Sequence, residues 1–236
     1  MGDLEMTGVV CGKSRVRSVG VAGLALVMLA ACQTGADTSN RTAAAAAPPA
    51  DAELADYAPP PVGTTWAYDQ DGEPLARARL ADGEYDGQTF IRLDAGDGTT
   101  AFLDPASWNW VVSLDADGKP TTSVTPNVGI FRWPLWIGKE WTSTVTWRDH
   151  KRGRSWSGAQ TTWKVEAIEV VETPAGAFKT YRLQSSPGRH DATRQTLWFA
   201  PDLGVYAKRR FRRTANHYLG VGGYDQVLTS YTRPEN

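Results

Sequence analysis

Few side chains in this 236-residue chain stand where chemistry could be done, and the foremost is a thiol. Cys32 ends the tetrapeptide Leu29-Ala30-Ala31-Cys32. Lys13, Arg15 and Arg17 precede an apolar run from Val19 to Leu29. That run is about 11 residues long, too short to cross ~30 Å of hydrocarbon, which takes roughly 20 helical residues. Basic, apolar and small elements in this order form an export signal, and a thiol directly after the small pair can accept a diacylglyceryl chain. Residues 1–31 therefore read as a lipoprotein signal peptide, cleaved before a lipidated Cys32. The rival reading is an ordinary secretory signal with a chance cysteine. Gly8, Gly12, Lys13 and Ser14 imitate a phosphate loop, but the spacing is one residue short and no strand precedes it.

The remaining candidates for catalysis are sparse. His150, His190 and His217 lie in polar stretches without metal-ligand spacing, and the only other cysteine, Cys11, falls inside the signal. Asp115-x-Asp117-Gly118 matches part of a calcium loop but lacks the acidic residue that closes one. Hairpin turns account for Asp69, Asp71, Asp115 and Asp117 better than calcium ligation does. Glu140, Glu166 and Glu169 offer carboxylates of the type glycoside hydrolysis needs, at separations sequence does not set. There is no Gly-x-Ser-x-Gly elbow. The expectation is a protein that is not an enzyme, with no catalytic residue, no metal and no cofactor.

Binding chemistry is better represented. Lys208, Arg209, Arg210, Arg212 and Arg213 follow Tyr206 in one run. Strict alternation puts Lys208, Arg210 and Arg212 on one face with Tyr206, and Arg209 and Arg213 on the other with Phe211. The first face would meet an anionic surface, or else it is a solvated strand whose charge deters edge pairing. Lys151, Arg152 and Arg154 form a second basic cluster. Trp108 and Trp110, two apart, fall on one strand face, and Trp133 and Trp136 flank Pro134 in a loop. These four are either core or the aromatics that would face a ligand.

The elements that must position these residues are strands. Trp141, Ser143, Val145 and Trp147 alternate with Thr142, Thr144 and Thr146, a period of two. Shorter runs follow the same rule at 75–80, 90–93, 101–103, 108–114, 178–183, 193–199, 205–211 and 226–231. In Thr161 to Val171 the apolar phase moves from Trp163 and Val165 to Ile168 and Val170, which predicts a bulge. Asp71-Gly72, Asp82-Gly83, Asp97-Gly98 and Asp117-Gly118 read as hairpin turns, and Pro174-Ala175-Gly176 as another. A short helix is allowed only near Trp133 to Trp136. The fold class is all-β: a strongly curved antiparallel sheet, or a partly closed (half-) barrel, of about ten or more strands. Residues 63–236 would form this single domain. Residues 32–62, with the run Ala43 to Ala47 and prolines at 48, 49, 59, 60 and 61, read as a flexible tether. Ten Trp, eight Tyr and six Phe supply the core. A net charge of −1 gives no global signal for nucleic acid.

Five segments in order carry a resemblance: Gly63-Thr64-Thr65-Trp66-Ala67-Tyr68, Pro134 to Trp141, Val171 to Thr180, Trp198 to Val205, and Leu228-Thr229-Ser230-Tyr231. The chain resembles an uncharacterised group of bacterial periplasmic and lipoprotein β-domains, akin in fold to the open half-barrel of the Lol lipoprotein carriers. The resemblance implies fold and a concave apolar face, and brings no catalytic residues. By the sorting rule of lipoproteins, Gln33 in place of an aspartate after Cys32 implies the outer membrane. Three functions then stand as expectations. The first is an anchored, non-enzymatic envelope protein binding a lipid, another apolar ligand or a partner protein in an aromatic-lined concavity. The second is a glycan- or peptidoglycan-associated module, and the third a glycan hydrolase.

Overall fold

The structure is a computed structural model that describes residues 47–235. The signal peptide, Cys32 and the first part of the tether lie outside the described residues. Twelve antiparallel strands close into one barrel: β1 (Thr65–Gln70), β2 (Glu73–Tyr85), β3 (Gln88–Asp94), β4 (Thr100–Leu103), β5 (Trp110–Leu114), β6 (Pro120–Thr125), β7 (Glu140–Asp149), β8 (Arg154–Thr173), β9 (Gly176–Pro187), β10 (Thr193–Ala200), β11 (Val205–Arg213) and β12 (Gly222–Thr232). Each strand pairs with its neighbours in sequence, and β12 pairs with β1 from Thr65↔Thr232 to Gln70↔Gln226. The expected sheet of ten or more strands is thus present. Its ends meet, so the open half-barrel of the Lol carriers is not the arrangement seen. Closure satisfies the backbone groups that a free edge would expose.

Turn chemistry follows the hairpin rule where the dipeptide is a turn. Asp71 and Gly72 both take positive φ (53° and 92°), as do Asp86 and Gly87 (51° and 72°), the conformation a two-residue hairpin requires. Asp82-Gly83 is a correction. It lies inside β2 at a register shift between Leu80 and Gly83. A β-carbon on Gly83 would sit 2.3 Å from Cδ of Arg92, so the glycine there makes room for a cross-strand side chain. The bulge predicted in β8 is found between Val165 and Ala167. No helix forms at 133–136: the backbone of Leu135 instead exchanges hydrogen bonds of 2.8 and 2.9 Å with Ala55.

The up-and-down order places two kinds of loop at opposite ends. The β3–β4, β7–β8, β9–β10 and β11–β12 loops share one end, the mouth. The other end, the base, carries the β4–β5, β6–β7 and β10–β11 loops and residues 50–62. The base is packed shut. Ala55 and Leu135 are buried in the same core cluster as Trp108, Phe131 and Phe199. Phe131 and Trp133 stack with ring centroids 5.1 Å apart, and both contact Phe199. Asn109 ties the β4–β5 and β6–β7 loops by accepting from Phe131 N and donating to Phe131 O, both at 2.8 Å. Tyr181 donates to Glu53 O at 3.3 Å. From about Glu53 onward, then, the stretch expected as tether belongs to the packed base.

Candidate functional site

Above that base the interior is hollow. A cavity of about 530 Å³ runs from a floor made by Trp108 and Phe131 to the mouth, where Asp97, Asp149, Asp191 and Tyr218 line it. Its size falls within the range of small-ligand sites. One wall is apolar and aromatic: Trp110 and Trp147 stack at 5.2 Å, with Val145 and Trp163 beside them. The facing wall, from β11 round to β2, carries Tyr206, Arg209, Tyr68 and Arg77.

The composition of that second wall comes from a bulge. In the β10–β11 ladder Trp198 faces Lys208 but Phe199 faces Tyr206, so Ala207 is the extra residue. The face changes at that point. Tyr206 therefore shares the interior with Arg209 and Phe211, and Lys208, Arg210 and Arg212 point outward. This corrects the alternation that grouped Tyr206 with the latter three. The side chains of Arg210 and Arg212 close on Asp225 at 3.4 and 2.9 Å, and Lys208 lies over the ring of Trp198 at 5.3 Å. Burial pushes the Asp225 carboxyl up, but the hydrogen bonds and charges of Arg212 and Arg210 outweigh it and hold it below the usual carboxylate range. The outer basic face is thereby partly neutralised.

Inside, Tyr206 Oη accepts from Arg77 Nη1 at 3.2 Å and Arg209 Nη1 at 3.4 Å. Arg209 Nη2 also donates to Gln195 Oε1 at 2.7 Å. Tyr68 stacks on Tyr206 at 5.5 Å and donates to its carbonyl at 3.0 Å. Burial raises the Tyr206 phenol, yet the two guanidinium charges prevail and bring it down to about 8. Burial and the neighbouring Tyr206 push the Tyr68 phenol well above its ordinary value.

The four tryptophans part company. Trp108 and Trp110 both line the cavity but not from one strand face, because Trp108 precedes β5 with φ of 62°. Trp133 packs in the base and donates to Ser107 O at 2.9 Å. Trp136 is buried beneath the ammonium of Lys139, 4.2 Å from its ring centroid. Lys139 Nζ donates to the carbonyls of Arg132 and Pro134. Burial, then the charge of Arg132, lowers it to about 8.

Across the mouth lies the β11–β12 loop, 214–221. Tyr218 Oη donates to Asp149 Oδ2 at 2.9 Å, and its ring packs on Trp156 at 4.6 Å. The loop thus reaches from β11 and β12 to the β7–β8 hairpin, over the ends of the strands between. Leu219 and Val221 are exposed beside it. His190 and His217 both line the mouth. His150 lies outside in the β7–β8 turn, 2.8 Å from Ser123 Oγ. Glu166 and Glu169 share Arg182 at 3.5 and 3.2 Å on the outer face, and Glu140 is exposed. Asp115 Oδ1 accepts from Asp117 N and Lys119 N within its turn. Among the described residues, no three His, Cys, Asp or Glu side chains group as metal ligands.

No family model matches the chain, and no curated protein matches it. Three solved structures are similar at low identity. The hypothetical lipoprotein YmcC from Escherichia coli (K12) is 13% identical with a TM-score of 0.40, over 75% of this chain and 90% of that one. A "putative exported protein with YmcC-like fold" from Bacteroides fragilis NCTC 9343 is 14% identical with a TM-score of 0.37, over 76% and 100%. A "putative lipoprotein" from Parabacteroides distasonis ATCC 8503 is 11% identical with a TM-score of 0.35, over 76% and 100%.

Proposed function

We propose that this protein is a non-enzymatic, lipid-anchored component of the bacterial envelope whose barrel holds a small, largely apolar ligand. The observation that carries the binding clause is the interior cavity of about 530 Å³, walled by Trp110, Val145, Trp147 and Trp163 and floored by Trp108 and Phe131. A site that is concave, mostly apolar and served by a few polar groups is the usual form of a small-ligand pocket. The anchor clause rests on Leu29-Ala30-Ala31-Cys32 and its preceding basic and apolar segments. The outer membrane is the favoured address, on the strength of Gln33. The packed base receives the chain from its N-terminal side, so the mouth lies at the end of the barrel away from the tether. A ligand would then enter from the periplasmic space rather than through the base.

The test is extraction. Protein purified from membranes is stripped with organic solvent and the extract analysed by mass spectrometry beside an Ala101→Trp variant, whose indole would occupy the cavity that Ala101 lines. A small apolar compound recovered stoichiometrically from the wild type and lost from the variant supports the reading. Equal, trace recovery from both defeats it. Cys32→Ala should move the protein from the membrane to the soluble fraction, and retention in the membrane would overturn the anchor.

A further inference from the structure

Arg77 and Arg209 face the cavity from one wall, while the carboxylates that line it, Asp97, Asp149 and Asp191, stand at the mouth. Arg77 and Arg209 are among the half-buried cations that form no salt bridge among the described residues, whereas Arg79, Arg152 and Arg182 each meet a carboxylate. A guanidinium carries five N–H donors and no acceptor. Against the ten donors of the pair, the protein offers Tyr206 Oη and Gln195 Oε1. Nε of each arginine is buried without a partner among the described residues. Two like charges held on one phenol oxygen beside a largely apolar cavity are costly unless an anion joins them. The planar fork of arginine suits the paired oxygens of a carboxylate or phosphate. Opposite stands the tryptophan wall, whose ring faces suit a hydrocarbon.

We infer that the barrel binds an anionic amphiphile, its carboxylate or phosphate head seated between Arg77 and Arg209 at Tyr206 and its apolar body against Trp110, Trp147 and Trp163. This rests on the pocket reading above and specifies its ligand. The head is recognised on the β11, β1 and β2 wall, and the loop at 214–221 closes behind it. Tyr206 serves as the positioning residue: it aligns the two guanidiniums and yields one donor of each to the ligand.

The probe is cis-parinaric acid, read by fluorescence on titration into the full chain with Cys32 unmodified, against its methyl ester. The acid should bind at least tenfold tighter than the ester. Arg77→Gln and Arg209→Gln should each erase that preference, bringing the acid's affinity down to that of the ester. Dodecanoate, dodecyl phosphate and dodecanol then compete for the bound probe. Stronger competition by either anion supports the inference and identifies the head as carboxylate or phosphate. Dodecanol competing as well as both overturns it. Equal affinity for acid and ester in the wild type, which needs no variant to fold, overturns the anion assignment and leaves the apolar pocket standing. Failure of both probes to bind removes both.

Discussion

Replacing Tyr218 by Phe deletes one oxygen from the loop that crosses the mouth and tests whether that loop is held by a single polar latch. The hydroxyl donates to Asp149 Oδ2 at 2.9 Å. A hydrogen bond to a charged acceptor contributes about 1.5–3 kcal/mol. The lower end applies, because Asp149 keeps Arg152 Nη1 on the same oxygen at 3.0 Å and Arg152 N on the other at 3.0 Å. Phe preserves the packing on Trp156 and His217. A loss of about 1.5 kcal/mol is roughly tenfold in the opening equilibrium of the loop. Native-state hydrogen exchange reads this directly. Amides of 214–221, among them Leu219 and Gly220, which bond to His217, should exchange about tenfold faster, with the amides of β7 and β8 unchanged. Tyr218→Ala removes the ring as well, worth about a further 0.5–1.5 kcal/mol, and should approach a hundredfold. Burial raises the Asp149 carboxyl, but the Arg152 and Tyr218 hydrogen bonds prevail and hold it below the ordinary value. The latch is therefore whole above the usual carboxylate range and fails only as pH falls through that depressed value. Exchange in Tyr218→Phe within twofold of wild type would refute the latch, and so would faster exchange spread evenly over the barrel.

Tyrosinate absorbance near 295 nm should show one phenol ionising near pH 8, that of Tyr206, and Tyr206→Phe should abolish this step. The groups facing it are Arg77 on β2, Arg209 on its own strand, Tyr68 on β1 and, beyond Arg209, Tyr224 on β12. Arg77→Gln should move the step upward. Because the folded value lies below the unfolded one, Tyr206 adds stability as pH rises past about 8, a gain complete above the unfolded value near 10. A first ionisation no earlier than that of free tyrosine would contradict the shared-oxygen geometry. Leu135→Ala should cost about 2–5 kcal/mol in denaturant melts, since Leu135 is fully buried at the base where Ala55 pairs with it. A loss under about 1 kcal/mol would mean that the base does not hold the barrel shut.

The strands and their turns were legible because a pleated sheet writes its two faces into alternate residues. The segment Trp141 to Trp147 shows this plainly, and even the phase slip in β8 could be read from Val165 to Ile168. The Thr-Thr-Ser-Val core of β6 offered too little apolar contrast to announce a strand. The candidate site was hidden for a related reason. In β11 the run of basic residues is equally polar on both faces, so nothing in Tyr206-Ala207-Lys208 marks Ala207 as the extra residue. Without that slip Arg209 cannot be placed beside Tyr206. Arg77 comes from the far side of the sequence, 129 positions away from the phenol it reaches, and no local pattern links them. Trp136 looked like Trp110 in composition, and only the burial of Lys139 against it shows it to be base packing.

The seam between β1 and β12 has a consequence for biogenesis. Its partners are separated by nearly the whole domain, as Thr65 and Thr232 show. Loop-closure entropy must be met before such a contact returns any stability, which slows folding. Until β12 has paired with β1, both β1 and β11 present raw strand edges, open to pairing with another chain. A truncation that removes only the last eleven-residue strand should therefore yield aggregates rather than a shortened, working domain.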